Sequence, residues 1–241
     1  MLSFLPVSGR AKAERAGAGA ARFPADIIFF DNDGTIFDSA TGVLAAVQDG
    51  FREFAAAHGL TQLPVPTIAR IKQLTGAPNT VFFPAVLPEE VRHLAPELRE
   101  ICLRHEVEAI RTSAKLFSGA REMLTELRAR GKKLVLITHA GVEYFTATAG
   151  RFGYEKLFDR LYHVGLHGLA DKSQMIAHAL NALSLDGAPL AAVGDKRADM
   201  EAGRAHGATT VYAAYGFGEP EDRELADFVI DSPSELSDMV L

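Results

Sequence analysis

Two aspartates stand one position apart at the end of an apolar run in the stretch IIFFDNDGTIFDS, residues 27–39. When both are ionised Asp31 and Asp33 repel each other, so their placement side by side needs a physical reason. A turn supplies one, because Asp, Asn and Gly favour turn geometry and Asp-Gly is a common hairpin signal. A reactive site supplies another, in which a rigid strand presents two carboxylates at its tip. The remainder of the chain bears on the choice.

Other polar clusters occupy the same kind of position. KLVLITH brings Thr138 and His139 to the end of an apolar run, Lys172 follows Asp171 at the start of a helical segment, and GDKRAD places Asp195 and Asp199 directly after another apolar run. Taken singly, each cluster fits the start of a helix, where Asp and Thr are favoured. Taken together they bring several carboxylates, a lysine and a Thr-His pair to one edge of a sheet. Carboxylates gathered in a small volume raise one another's pKa and stay partly protonated unless a cation compensates them. A hard divalent ion does so, and carboxylate oxygens are what Mg²⁺ prefers.

The elements that must position these residues read as follows. Ile27–Phe30 is a strand, and after Ser39 the residues Val43, Leu44, Val47, Phe51, Phe54 and Ala55 fall at helical spacing up to His58-Gly59. A second helix is expected over about 65–74 and a longer one after Pro88, with Val91, Leu94, Leu98, Ile101 and Cys102 on one stripe; TGAPNTVFFPAVLP between them reads as turn formers and aromatics. From about 113 onward the pattern alternates. Helices are expected near 117–130, from 141, from 172 and near 198–206, and strands at 133–138, 161–164, 190–193, 209–212 and 228–230. Such alternation, with near-continuous apolar strands, predicts an α/β fold: a Rossmann-like parallel sheet covered by helices on both faces. The expected organisation is a flexible tail over 1–22, a core over 23–39 and 113–241, and an all-helical insert over 40–112. An insert there would sit over the carboxyl ends of the strands, where ligands bind in open α/β sheets.

Composition narrows the function classes. A chain of 241 residues with 48% hydrophobic content supports a real core, and a formal net charge of -6 gives no basic footprint for a phosphate backbone, so nucleic acid is not expected as a partner. No segment approaches the roughly 18 uninterrupted apolar residues of a membrane span. The lone cysteine, Cys102, forms no internal disulfide, which fits a reducing compartment, and a cytoplasmic location is the default expectation. The start, MLSFLPVSGRAKAERAGAGAARF, reverses the order of a secretory signal, although its arginines keep some likeness to a transit peptide. GAGAAR precedes the first strand and lacks the last glycine of a nucleotide loop.

DNDGT, a strand-ending Thr138, Lys172 and GDKRAD occur in the order found in the haloacid dehalogenase superfamily, and the chain from about Phe23 resembles its phosphatases. YGFG, ADFVIDSPSEL and a helical cap after the first motif are similar to phosphoglycolate phosphatase relatives. The resemblance implies that Asp31 is a nucleophile forming an aspartyl-phosphate and that Asp33 is the general acid and then the base. It implies Mg²⁺ held by Asp31, the backbone carbonyl of Asp33, and Asp195, with Asp199 as a ligand or an orienting group. Lys172 and the Thr138 hydroxyl would bind the phosphoryl oxygens; Gly34 would let the backbone turn beside the phosphate, and Thr35 would bond within the loop.

The chain departs from that family at His139, where many relatives carry Asn, and at Ser173, where proline is frequent. His139 either contacts the substrate or replaces an amide hydrogen bond. The other histidines form no zinc-type set. Within the insert, Arg70, Lys72 and the Thr75-Gly76-Ala77 turn are candidates for reading the substrate, and a solvated helix face also accounts for Arg70 and Lys72. The function expected is hydrolysis of a small-molecule phosphomonoester, phosphoglycolate-like or a sugar phosphate. A β-phosphoglucomutase-type mutase and a catalytically idle binding protein are the alternatives.

Overall fold

Alternate residues of the first apolar run point into different cores: Ile28 and Phe30 pack with one cluster of buried side chains, and Ile27 and Phe29 with another. Leu134 and Leu136 against Val135 and Ile137 repeat the division. A strand whose two sides are both buried must lie inside a sheet covered on both faces, and its sequence is then a continuous apolar run.

The computed structural model describes residues 14–15, 21–184 and 187–241. Its strands are β1 (Glu14–Arg15), β2 (Ile27–Phe30), β3 (Phe37–Asp38), β4 (Lys115–Leu116), β5 (Lys133–Thr138), β6 (Arg160–His163), β7 (Leu190–Gly194), β8 (Thr209–Ala213) and β9 (Phe228–Ile230). Its α-helices are α1 (Val43–Ala57), α2 (Ile68–Leu74), α3 (Asn79–Ala85), α4 (Ala95–Thr112), α5 (Ala120–Ala129), α6 (Val142–Phe152), α7 (Tyr154–Leu157), α8 (Lys172–Leu183), α9 (Arg197–Ala205) and α10 (Ser234–Met239).

The main sheet runs in the order β1-β9-β8-β7-β2-β5-β6, and every pairing in it is parallel. From β2 the chain lays down β5 and β6 on one side, then returns to build β7, β8 and β9 on the other. The direction of growth therefore reverses at β2, and crevices at such a reversal lie outside the carboxyl ends of the strands. The Rossmann-like parallel sheet with helices on both faces is as the sequence predicts.

Helices α1–α4 enclose a third cluster that includes Phe51, Phe54, Ile71, Phe83, Leu98 and Cys102. Helices α1 and α4 come close at Gly50, where an added Cβ would lie 2.7 Å from Cys102 Cα. The chain enters this helical layer after β3 and leaves it into β4, and those two strands pair antiparallel, Phe37 with Leu116 and Asp38 with Lys115.

Several local expectations are corrected. TGAPNTVFFPAVLP contains a helix, α3, with Pro84 in its last turn. The single helix expected after Pro88 is a 3-10 segment, Glu89–Leu94, followed by α4. The ribbon β3–β4 and the helices α7 and α10 are additions to the sequence reading. The tail expected over 1–22 falls largely outside the described residues, as does its likeness to a transit peptide; Glu14–Arg15 pair with Phe228–Val229. Among the described residues no helix is long and apolar enough to cross a membrane.

Candidate active site

Strand β2 delivers Asp31 to the carboxyl edge of the sheet, and the Asp31 N–H still donates to Val193 O of β7 at 3.0 Å. The chain then turns sharply: Thr35, Ile36 and Phe37 N–H all donate to Asn32 O, at 3.2, 2.9 and 2.9 Å. Gly34 makes this turn with φ of 84°, and an added Cβ would sit 2.3 Å from Asp195 Oδ2. Both the positive φ and the close approach require glycine there.

Asp33 is held at both oxygens. Tyr144 on α6 donates its hydroxyl to Oδ1 at 2.6 Å, and Asn32 Nδ2 donates to Oδ2 at 3.0 Å. The buried Asn32 side chain is fixed in turn by Tyr154, whose hydroxyl donates to its Oδ1 at 2.7 Å. Burial pushes the Asp33 carboxyl upward, and the Tyr144 hydrogen bond opposes that shift.

Lys172 opens α8, whose N-cap Asp171 accepts from Gln174 N–H at 2.8 Å. Its ammonium is buried and lies 2.7 Å from Asp31 Oδ1 and 2.5 Å from Asp199 Oδ1. Burial alone would lower its pKa, but the two carboxylates outweigh that and hold it above the ordinary lysine value.

Strand β7 ends at Gly194 and leads into Asp195, whose Oδ2 accepts from Phe217 N–H at 2.7 Å and whose Oδ1 accepts from the Thr35 hydroxyl at 3.3 Å. The Gly216–Gly218 loop wraps Asp195 so closely that a Cβ at Gly218 would lie 1.7 Å from Asp195 O. Asp199, on α9, accepts from Lys196 N–H at 3.0 Å. Carboxylate oxygens of Asp31, Asp195 and Asp199 all lie within 4.8 Å of one another. Burial and mutual repulsion push Asp195 up to about 8 and Asp199 up to about 6, and burial raises Asp31 despite Lys172.

Fully ionised, the three acids would outnumber the one lysine in a buried volume, and Asp31 Oδ2 is buried with no hydrogen-bond partner. An unpaired buried carboxylate oxygen is costly. An all-oxygen donor set of this kind fits a hard divalent cation, which would restore the balance.

Thr138 ends β5, and its Oγ1 accepts from Ala140 N–H at 3.1 Å. His139 Nδ1 lies 2.9 Å from Gly76 O in the α2–α3 turn. A carbonyl only accepts, so Nδ1 carries the proton and, in the neutral ring, Nε2 is a free acceptor. Burial and the Lys172 charge lower the His139 pKa, favouring that neutral ring.

A cavity of about 770 Å³, counting the part open to solvent, lies between these strand ends and α1–α4. Asp31, Asp33, Thr138, His139 and Tyr144 line it on one side, and Thr75, Gly76 and Ala77 on the other. Gly34 and Thr35 face Asp195. The basic residues weighed in the insert point elsewhere: Arg70 is exposed and donates to Gln73 Oε1 at 2.7 Å, and Lys72 Nζ lies over the Phe217 ring, 5.2 Å from its centroid.

The structure thus gathers every singled-out acid, Thr138, His139 and Lys172 at one sheet edge. Tyr144, Asn32, Tyr154, Arg99 and Glu106 have no role in the sequence reading. Tyr144 stands six residues after Thr138, inside the first turn of the helix that follows the strand, which is the only local hint of its position.

A family model for haloacid dehalogenase-like hydrolases matches residues 25–207. The chain is similar to N-acetylmuramic acid 6-phosphate phosphatase of Pseudomonas aeruginosa, at 27% identity over 220 residues covering 88% of this chain and 93% of that one. It is similar also to phosphoglycolate phosphatase of Xanthomonas campestris pv. campestris, at 26% identity over 226 residues covering 89% and 96%. A haloacid dehalogenase-like family hydrolase of Streptococcus pneumoniae has the same fold, with a TM-score of 0.73 at 24% identity over 88% of this chain and 96% of that one.

Proposed function

The chain belongs to the haloacid dehalogenase-like hydrolase family, as a phosphatase of small phosphate esters, and from that premise we propose a Mg²⁺-dependent reaction through an aspartyl-phosphate at Asp31. The observation that carries this reading is the buried, unpartnered Asp31 Oδ2 standing among Asp195, Asp199 and Lys172.

Asp31, Asp195, Asp199 and the backbone carbonyl of Asp33 would hold the ion. When bound, it supplies positive charge that lets a carboxylate approach an anionic phosphorus centre. An Asp31 oxygen attacks phosphorus, forming a new P–O bond as the bond to the substrate's alcohol oxygen breaks. Asp33, protonated, gives its proton to that departing oxygen. Water then attacks the aspartyl-phosphate, Asp33 takes the water's proton, and the P–O bond to Asp31 breaks to release phosphate.

Lys172 places a fixed charge against Asp31 and the transferring phosphoryl group, with its position set by Asp199. Thr138 and the free N–H groups at the start of α6 take the remaining phosphoryl oxygens. Gly34 and Thr35 act by shaping the Asp195 side of the site. Tyr144 and Asn32 hold the Asp33 carboxyl in place.

In this reading 23–39 and 113–241 form the catalytic unit, and α1–α4 are a cap that excludes water during reaction. The His139–Gly76 hydrogen bond and the Lys72–Phe217 contact join cap to core in the closed form. The relatives reported above are named as phosphatases, which favours water over a sugar hydroxyl as acceptor and does not favour the mutase alternative.

Release of phosphate from p-nitrophenyl phosphate should require MgCl₂, stop with EDTA, and disappear in Asp31→Asn while circular dichroism stays native. Undiminished turnover in Asp31→Asn would remove Asp31 as nucleophile.

A further inference from the structure

Two core residues touch both the acids and the helical layer. Phe217 donates its backbone N–H to Asp195 Oδ2 at 2.7 Å, and Lys196 donates its backbone N–H to Asp199 Oδ2 at 3.0 Å. The side chains of the same two residues meet α2 and the turn that follows it. Lys72, in the last turn of α2, holds its ammonium over the Phe217 ring, 5.2 Å from the centroid. A Cβ at Gly76 would lie 3.5 Å from Lys196 Cγ, so the turn rests on the lysine stem. The two core residues are also tied to each other, because Lys196 Nζ donates to Phe217 O at 2.9 Å.

The loop around Phe217 has no slack of its own. Its neighbours are glycines packed on Asp195: a Cβ at Gly216 would lie 2.4 Å from Asp195 Cβ, and one at Gly218 would lie 1.7 Å from Asp195 O. Phe217 therefore carries the only side chain of residues 216–218, and its ring is buried beneath the Lys72 ammonium. Close-packed groups transmit displacement. A shift of the ring accordingly moves the N–H that orients Asp195.

Hydrogen bonds that orient a ligating side chain set how well it holds a metal. For Asp195 and Asp199 the two donors sit on residues whose side chains bear the weight of α2. Whether that helix is seated on the core thus bears on how the two carboxylates are aimed.

We propose that Lys196 and Phe217 are positioning residues that couple the seating of α2 to the cation affinity of Asp195 and Asp199, with Lys72 as the contact that engages Phe217. The inference rests on the Mg²⁺ reading given above and deepens it. Such coupling is reciprocal: if the seated helix favours Mg²⁺ binding, bound Mg²⁺ favours the seated helix by the same factor. Its sign also separates it from plain electrostatics. Removing a positive charge near an acid cluster, with no other effect, tightens cation binding. Loss of the Lys72–Phe217 contact weakens it.

Titration calorimetry of the free protein with MgCl₂ alone tests this without turnover. Lys72→Met should raise the dissociation constant by about 2- to 5-fold, the weight of a solvent-accessible cation–π contact. Phe217→Leu, which keeps the N–H, should raise it at least as much, and Lys72→Met added to Phe217→Leu should then change nothing further. Arg70→Gln is the control: it removes a charge from the same helix, at a side chain whose contacts with Gln73 and Ala85 O stay within the helical layer, and should not weaken binding. In the reciprocal direction, MgCl₂ should slow amide exchange across 71–78 in the wild type and less so in Phe217→Leu.

An unchanged or tighter constant in Lys72→Met, or additive losses in the double variant, overturns the proposal. Absence of any Mg²⁺ binding by the wild-type protein would instead sink the Mg²⁺ reading beneath it.

Discussion

Replacing Lys172 with methionine removes the cation on which two buried carboxylates depend. In the native protein its ammonium lies 2.7 Å from Asp31 and 2.5 Å from Asp199, and all three side chains are only 3% exposed. Methionine restores the apolar stem and no charge, so Asp31 and Asp199 are left facing each other out of contact with water. Removing one partner of a buried ion pair costs about 3–5 kcal/mol. With a urea slope of about 1–3 kcal/mol per molar, that lowers the unfolding midpoint by roughly 1–5 M. The assay is urea denaturation followed by circular dichroism, in EDTA so that no added cation substitutes for the lysine. Adding Asp31→Asn to Lys172→Met should recover part of the loss, because one stranded charge disappears; the two changes are coupled and not additive. The same lysine substitution should reduce kcat by roughly 10²- to 10³-fold, the usual scale for one preorganised electrostatic group. A midpoint equal to the wild type's, or a double variant weaker than Lys172→Met alone, would refute the reasoning.

Tyr144→Phe deletes the 2.6 Å hydrogen bond to Asp33 and should lower kcat by roughly 3- to 10-fold with little change in KM; equal kcat values would remove Tyr144 from any positioning role. Gly218→Ala forces a Cβ to 1.7 Å from Asp195 O, so the loop must shift: a loss of about 1–3 kcal/mol in urea unfolding and a higher MgCl₂ concentration for half-maximal rate are expected. Glu106 ionises near 4.5 when unfolded and at about 8 when folded, so between those values the native state keeps a proton the unfolded chain has released, and stability falls as pH rises. Glu106→Gln removes that slope; relative to wild type it should gain stability at pH 8 compared with pH 4, and parallel pH profiles of the urea midpoint would count against the shift.

The strands were readable because burial on two faces leaves no polar positions: IIFF and KLVLIT announce themselves as continuous apolar runs. The acids were readable because short spacing, DNDGT and GDKRAD, encodes their convergence within single loops. Elements of two to four residues, β3, β4 and α7, carry too few side chains to show a period. Helix α3 is hidden by Pro78 and Pro84, which read as loop formers: Pro78 stands at the N-cap, where proline breaks no helical hydrogen bond, and Pro84 lies inside this seven-residue helix and removes one. Tyr144 and Tyr154 reach Asp33 and Asn32 across 111 and 122 residues of sequence, and no local pattern marks a partner chosen only by the packing of α6 and α7 against β2. Arg99 and Glu106 are legible only once α4 is known to lean over the strand ends.

The narrow ribbon of β3 and β4 means that the helices above the sheet are attached at a single place, by two adjoining chain crossings. The residues to which the proposed phosphorus chemistry is assigned belong to segments outside those crossings, and Thr75, Gly76 and Ala77 on the opposite wall of the cavity belong to the segment within them. A different set of helices spliced between Asp38 and Lys115 would leave the order and spacing of the parallel strands untouched. The helical layer is in this sense a separable cassette mounted on the sheet.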